Sequence, residues 1–139
     1  MEKSQRLLLT WLVEDPHLFE VVRPYIGPED FTEEIYGETA RILFAQYEEG
    51  NVNPAKIVSM FEDEEQQRKV ASMFHTQLSE TLTVQEREKA LRETIFRIKQ
   101  NSIAYRTKHL DPADMDGLRR LVQDKQQLQN IQKLHISIN

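Results

Sequence analysis

The chain of 139 residues has no cysteine, which excludes disulfides and thiolate metal sites and fits a reducing compartment, so the expected location is the cytoplasm. It has only four glycines and five prolines, and β-branched runs are rare, a composition that favours helix almost throughout. It has no long apolar run. The longest near the N-terminus is Leu7-Leu8-Leu9, then Thr10, then Trp11-Leu12-Val13. That is too short for a membrane span and lacks a signal-peptide cleavage pattern, so no membrane partner is expected.

Chemistry-bearing patterns are missing as well. There is neither a GxxxxGK[ST] nor a GxGxxG phosphate cradle, and no serine has elbow glycines around it. The four histidines, His17, His75, His109 and His135, make no HxxxH spacing, so no metal site is expected. The run Glu62-Asp63-Glu64-Glu65 could in principle hold Mg²⁺, but carboxylates at a helix start are explained by the helix macrodipole. No catalytic residue emerges. The chain is expected to be no enzyme by itself and to carry no cofactor.

What is present reads as helix after helix. Residues 4–13 form a first helix that Asp15-Pro16 stops, and a second covers HLFEVVRPYI with Asp15 as its cap. Gly27-Pro28-Glu29-Asp30-Phe31 is a turn that plants Phe31 in the core. A third helix opens at Thr32, its expected N-cap, carries Ile35, Thr39, Ile42, Leu43 and Tyr47 at helical spacing, and ends at Gly50. Asn53 caps a short helix through Phe61, and the acidic run opens the next, with Val70, Met73 and Phe74 on it. After a linker at 79–83 come two long helices, VQEREKALRETIFRIKQNSIAYRTKH and ADMDGLRRLVQDKQQLQNIQKLHISIN, broken by Leu110-Asp111-Pro112. The expected fold is all-α: a compact multi-helix bundle over 1–82, followed by a two-helix hairpin over 83–139 whose start can pack on the bundle. The weak helix-forming pair Asn101-Ser102 is a candidate hinge within the hairpin.

Charge separates the two regions. Residues 1–80 hold 7 Lys+Arg against 16 Asp+Glu, a net of −9, whereas residues 81–139 hold 11 against 7, a net of +4. An acidic front and a basic tail are what two modules with different neighbours would show. Strong direct nucleic-acid binding is not expected, because the whole-chain pI is 5.4 and Glu86, Glu88, Glu93, Asp114, Asp116 and Asp124 interrupt the basic residues. Phe96 and Tyr105 are also too few rings for a base-stacking platform.

The apolar pattern of the hairpin points to a protein partner. Leu91, Ile95, Ile98, Ser102 and Tyr105 form one stripe at alternating spacings of four and three, read as the seam of the helix pair. Leu118, Leu121, Lys125 and Leu128 continue that seam on the second helix. Phe96 and Ile103 lie off it, as do Ile131, Leu134 and Ile138 near the end. Apolar residues that are not needed to close a hairpin can anchor in a partner groove. The expected partner-binding set is Ile103, Tyr105, Leu121, Val122, Leu128, Ile131, Leu134 and Ile138.

Three stretches carry a family resemblance. They are SQRLLLTWL at 4–12 followed by Asp15-Pro16, then GPEDF at 27–31, then IYGETARIL at 35–43. Together with the late hairpin they resemble the C-terminal helicase-binding domain of the bacterial replicative DNA primase, in its Bacillus-like form. That domain is related in fold to the N-terminal domain of the replicative hexameric helicase. The resemblance covers essentially the whole chain, with modest motif specificity. Two features favour the primase side: the chain ends directly after the hairpin, and the segment VNPAKI fits the helicase version loosely. The resemblance implies a monomeric fragment that binds the hexameric helicase through its hairpin. Such binding recruits primer RNA synthesis to the replication fork and modulates the helicase. It also implies a parent nucleotidyltransferase whose zinc and magnesium sit in other domains. Two alternatives stand beside it: the N-terminal domain of the helicase itself, and a helical nucleic-acid-binding regulator.

Overall fold

A computed structural model describes residues 1–75 and 83–134. Seven α-helices and one 3-10 turn make up these residues, with no strand among them. They are α1 (Glu2–Glu14), α2 (Leu18–Val22), the 3-10 turn Pro28–Asp30, α3 (Glu34–Glu48), α4 (Pro54–Ser59), α5 (Glu64–His75), α6 (Val84–His109) and α7 (Met115–Gln132). The all-α expectation holds, with the short helices in front and two long ones behind.

Local chemistry sets most boundaries. The Asn53 side chain accepts the Lys56 N–H at 3.2 Å, and Pro54 occupies the first position of α4, where its missing N–H costs nothing. Thr83 and Glu86 close a reciprocal capping box on α6. Gly50, at φ +80°, takes the left-handed turn that ends α3. Two expected caps differ. Helix α2 is shorter than the sequence suggests, and the Asp15 carboxylate accepts from the His17 N–H ahead of it. Thr32 does not cap α3, whose N-cap is Glu33. The Thr32 hydroxyl instead accepts from Gln5 at 3.0 Å and from Asn101 at 2.9 Å, tying α1 and α6 together.

One continuous apolar core runs through the molecule. It joins Leu8, Leu9, Trp11 and Leu12 of α1, Leu18, Phe19 and Val22 of α2, Tyr36, Ala40 and Leu43 of α3, Ile57 of α4, and Val70 and Met73 of α5. Leu91, Ile95 and Ile98 of α6 and Ile131 of α7 belong to the same cluster. Each buried Val, Leu, Ile, Phe or Met among them contributes roughly 1.5–3 kcal/mol by burial. The boundary drawn at 82/83 therefore does not separate two cores: the first half of α6 is part of the bundle. The linker expected at 79–83 falls outside the described residues except for Thr83.

The buried Gln5, Thr10 and Gln46 side chains inside the bundle are each paired, as a low-dielectric interior favours, whereas the buried Arg87 Nε has no hydrogen-bond partner. Gln5 is fully buried, and its side chain also accepts the Glu33 N–H at 3.1 Å. Thr10 donates to the carbonyl of Arg6 or of Met73. Gln46 exchanges two hydrogen bonds with the backbone of Asn53, holding the α3–α4 turn. At the surface, Glu2 accepts from the Tyr36 hydroxyl at 3.0 Å and pairs with Lys69 at 2.9 Å. The hydrogen bond from Lys69, then that from Tyr36, holds the Glu2 carboxyl below its ordinary range.

Candidate partner-binding surface

Helix α6 is 26 residues long, about 39 Å at 1.5 Å per residue. It outruns the bundle. Leu91, Ile95, Ile98 and Ser102 are buried, yet Tyr105, on the same stripe, is half exposed. This stripe faces the bundle and is not the hairpin seam that its spacing suggested. The bundle takes the broader apolar face, and α7 lies against the flank that carries Lys99 and Arg106, both paired with Asp124. The helix runs unbroken through Asn101-Ser102, with both side chains pinned to the bundle by hydrogen bonds.

The seam on α7 is rotated in the same way. Its inward residues are Leu121, Asp124, Leu128 and Ile131, spaced three, four and three apart. Leu118 and Lys125, expected on the seam, are exposed instead. The cause is Asp124, which must face the cations of α6, and Ile131, which enters the common core.

Beyond the bundle the hairpin tip is built from short-range contacts. Asp114 caps α7 by accepting the Gly117 N–H at 2.9 Å, and Asp111 accepts the Ala113 N–H at 2.9 Å. A β-carbon at Gly117 would lie 2.5 Å from an Asp114 carboxylate oxygen and 2.9 Å from Leu110, so this tight start to α7 favours glycine. The rings of Tyr105 and His109 pack 4.4 Å apart. Together with Arg106, Leu110, Arg120 and Leu121 they border a groove of about 340 Å³. On α7, Met115 is 57% exposed, Leu118 45% and Val122 51%. Their spacing of three and four puts them on one helix face. Exposed apolar side chains concentrated like this on one helix face are a candidate interaction surface.

The expected partner residues divide into groups. Tyr105 and Val122 are exposed at the tip. Leu128 and Leu134 are half-buried, and Leu134 packs on the core. Ile103 and Leu121 are buried between α6 and α7. Ile131 is fully buried in the main core, so it is a structural residue and not a free anchor; α7 folds back far enough for its end to meet the start of α6. Arg92 marks that return, donating to the Leu134 carbonyl at 3.3 Å. Ile138 lies outside the described residues. Met115 and Leu118 were missed as contact candidates. Their spacing with Val122 was visible in the sequence, but Leu118 was assigned to the seam.

Among the described residues no group of three or more His, Asp or Glu side chains is arranged to hold a metal ion, and no helix is long and apolar enough to cross a membrane. No protein-family model, curated protein or solved structure matches the chain.

Proposed function

We propose that this chain is a protein-interaction module, the helicase-binding domain of a replicative primase, and that its hairpin tip docks on the hexameric replicative helicase. The family assignment rests on the sequence resemblance at 4–12, 27–31 and 35–43. The observation that carries the docking role is the exposed set Tyr105, Met115, Leu118 and Val122 on the part of the hairpin beyond the bundle. An amphipathic helix with anchors spaced three and four apart suits the groove of a helical partner. Burying one such aliphatic side chain contributes roughly 1.5–3 kcal/mol.

In this reading the module performs no chemistry. It tethers a polymerising domain near unwound single strand. A short flexible linker gives an effective concentration in the millimolar range, so priming is accelerated without a new catalytic contact. Modulation of the helicase would follow from tighter binding to one ring conformation than to another, which shifts their populations. The test is a titration of the 139-residue chain onto a purified replicative helicase ring, with sedimentation of the free chain alongside. Saturable binding by a monomeric chain supports the reading. Self-association without ring binding would replace it with the helicase N-terminal domain reading. DNA affinity that falls steeply with salt, without ring binding, would replace it with the nucleic-acid regulator.

A further inference from the structure

Three distant parts of the chain meet in a buried charged cluster. Asp30, at the end of the 3-10 turn, is fully buried. Its carboxylate accepts the Gly27 N–H at 2.9 Å, which shapes the turn. It also accepts the Ser102 hydroxyl at 2.6 Å, and Lys99 Nζ at 3.3 Å on each oxygen. The Arg106 guanidinium stands 3.7 Å away. Asp124 of α7 closes the cluster, 2.6 Å from Arg106 and 3.5 Å from Lys99. The Arg106 Nε–H also points at the Ser102 hydroxyl, at 3.2 Å.

The charges balance: two carboxylates face two cations. Such a cluster is a poor source of stability, because removing four charges from water costs about as much as their attraction returns. Its strength is directional. Five side chains from the turn, α6 and α7 satisfy one another in this arrangement. A rotation of α7 would take Asp124 away from Lys99 and Arg106, and a bend of α6 would draw Lys99 and Ser102 away from the buried Asp30. The cluster also spans Asn101-Ser102, a weak helix-forming pair in α6, where a bend would otherwise be cheap. Ser102 is itself a member, and Asn101 is tied separately to Thr32.

We propose that Asp30, Lys99, Ser102, Arg106 and Asp124 form an orientation lock that fixes the angle between hairpin and bundle, with Asp124 as the member that holds α7. The lock stands whatever docks at the tip. The test exploits the absence of cysteine, which allows spin labels at Glu62→Cys on the bundle and Gln123→Cys on α7, both exposed positions, and nowhere else. Pulsed electron spin resonance then reads the distance distribution between them. The expected result is a single narrow distribution in the labelled parent. Asp124→Asn should broaden it or add a second population, with helicity by circular dichroism unchanged. Arg119→Gln, which removes only the exposed pair with Asp116, should leave it narrow. If Asp124→Asn loses helicity, Arg106→Gln removes the same bridge from its more exposed side and is read in the same way. A distribution already broad in the parent, or one still narrow in a folded Asp124→Asn or Arg106→Gln protein, would overturn the lock.

Discussion

Val122 and Ile131 sit on the same helix, in the same basic half of the chain, and both are aliphatic. Val122 is half exposed at the tip, while Ile131 has no exposed surface and packs among bundle residues. The difference comes from the partner helix. The first half of α6 is covered by the bundle on one flank and by the end of α7 on another. Its last turn, past Arg106, extends beyond the bundle, and there the start of α7 is its neighbour. Apolar character alone thus does not separate a core residue from an anchor. What separates them is whether the front bundle reaches that far along α6.

The contrast can be broken most severely from the buried side. Asp30→Ala removes the acceptor that Ser102 and Lys99 share and leaves a buried cation underpaired, so stability to chemical denaturation should fall by about 3–5 kcal/mol. An unchanged denaturation midpoint would show that the cluster is wet or rearranged. Next, Ile131→Ala should lower stability by about 2–5 kcal/mol, the usual range for truncating a fully buried aliphatic. A loss near zero, with weakened partner binding instead, would return Ile131 to the anchors. Thr83→Ala breaks the capping box at the start of α6 and should cost about 0.5–2 kcal/mol. Amide exchange in the first turn of α6 should quicken with it, and protection as strong as in the parent would argue that tertiary contacts hold that turn.

Much of this division was legible in the sequence. The cap at Asn53, the stop at Gly50 and the break at Leu110-Asp111-Pro112 rest on local hydrogen bonding and backbone preference, which act over a few residues. The span of α6 could be read directly from its period. The seam could not. Leu91, Ile95 and Ile98 form an apolar stripe whether α7 or the bundle covers it, and periodicity gives a face without naming what lies against it. The charged cluster was hidden for a related reason. Asp30 reads as a turn residue, and Lys99, Arg106 and Asp124 read as solvated helix charges. Their meeting depends on a fold that brings positions 30, 99 and 124 together. Ile131 lies off the expected seam in the sequence, and only the return of α7 along α6 brings it into the common core.

The smallest expected effect lies at the other end of the molecule. The Glu2 carboxylate is held below its ordinary range by Lys69 and Tyr36. A carboxylate shifted in this direction contributes stability above its unfolded value, and loses it as pH falls through the lower, folded value. Glu2→Gln should therefore flatten slightly the acid side of the melting curve against pH and leave the tip unaffected. An identical acid profile in the two proteins would mean that the exposed triad is fully screened.

The most direct measurement pairs folding and binding in one variant, Val122→Asp. Surface substitutions away from caps and core change stability within about 0.5 kcal/mol, so its melting temperature should stay close to that of the parent. Affinity for the helicase ring should fall at least tenfold, which corresponds to about 1.4 kcal/mol. Unchanged affinity with an intact fold would contradict the tip as the docking surface. Parallel loss of folding and affinity would mean that Val122 belongs with Ile131 in the core.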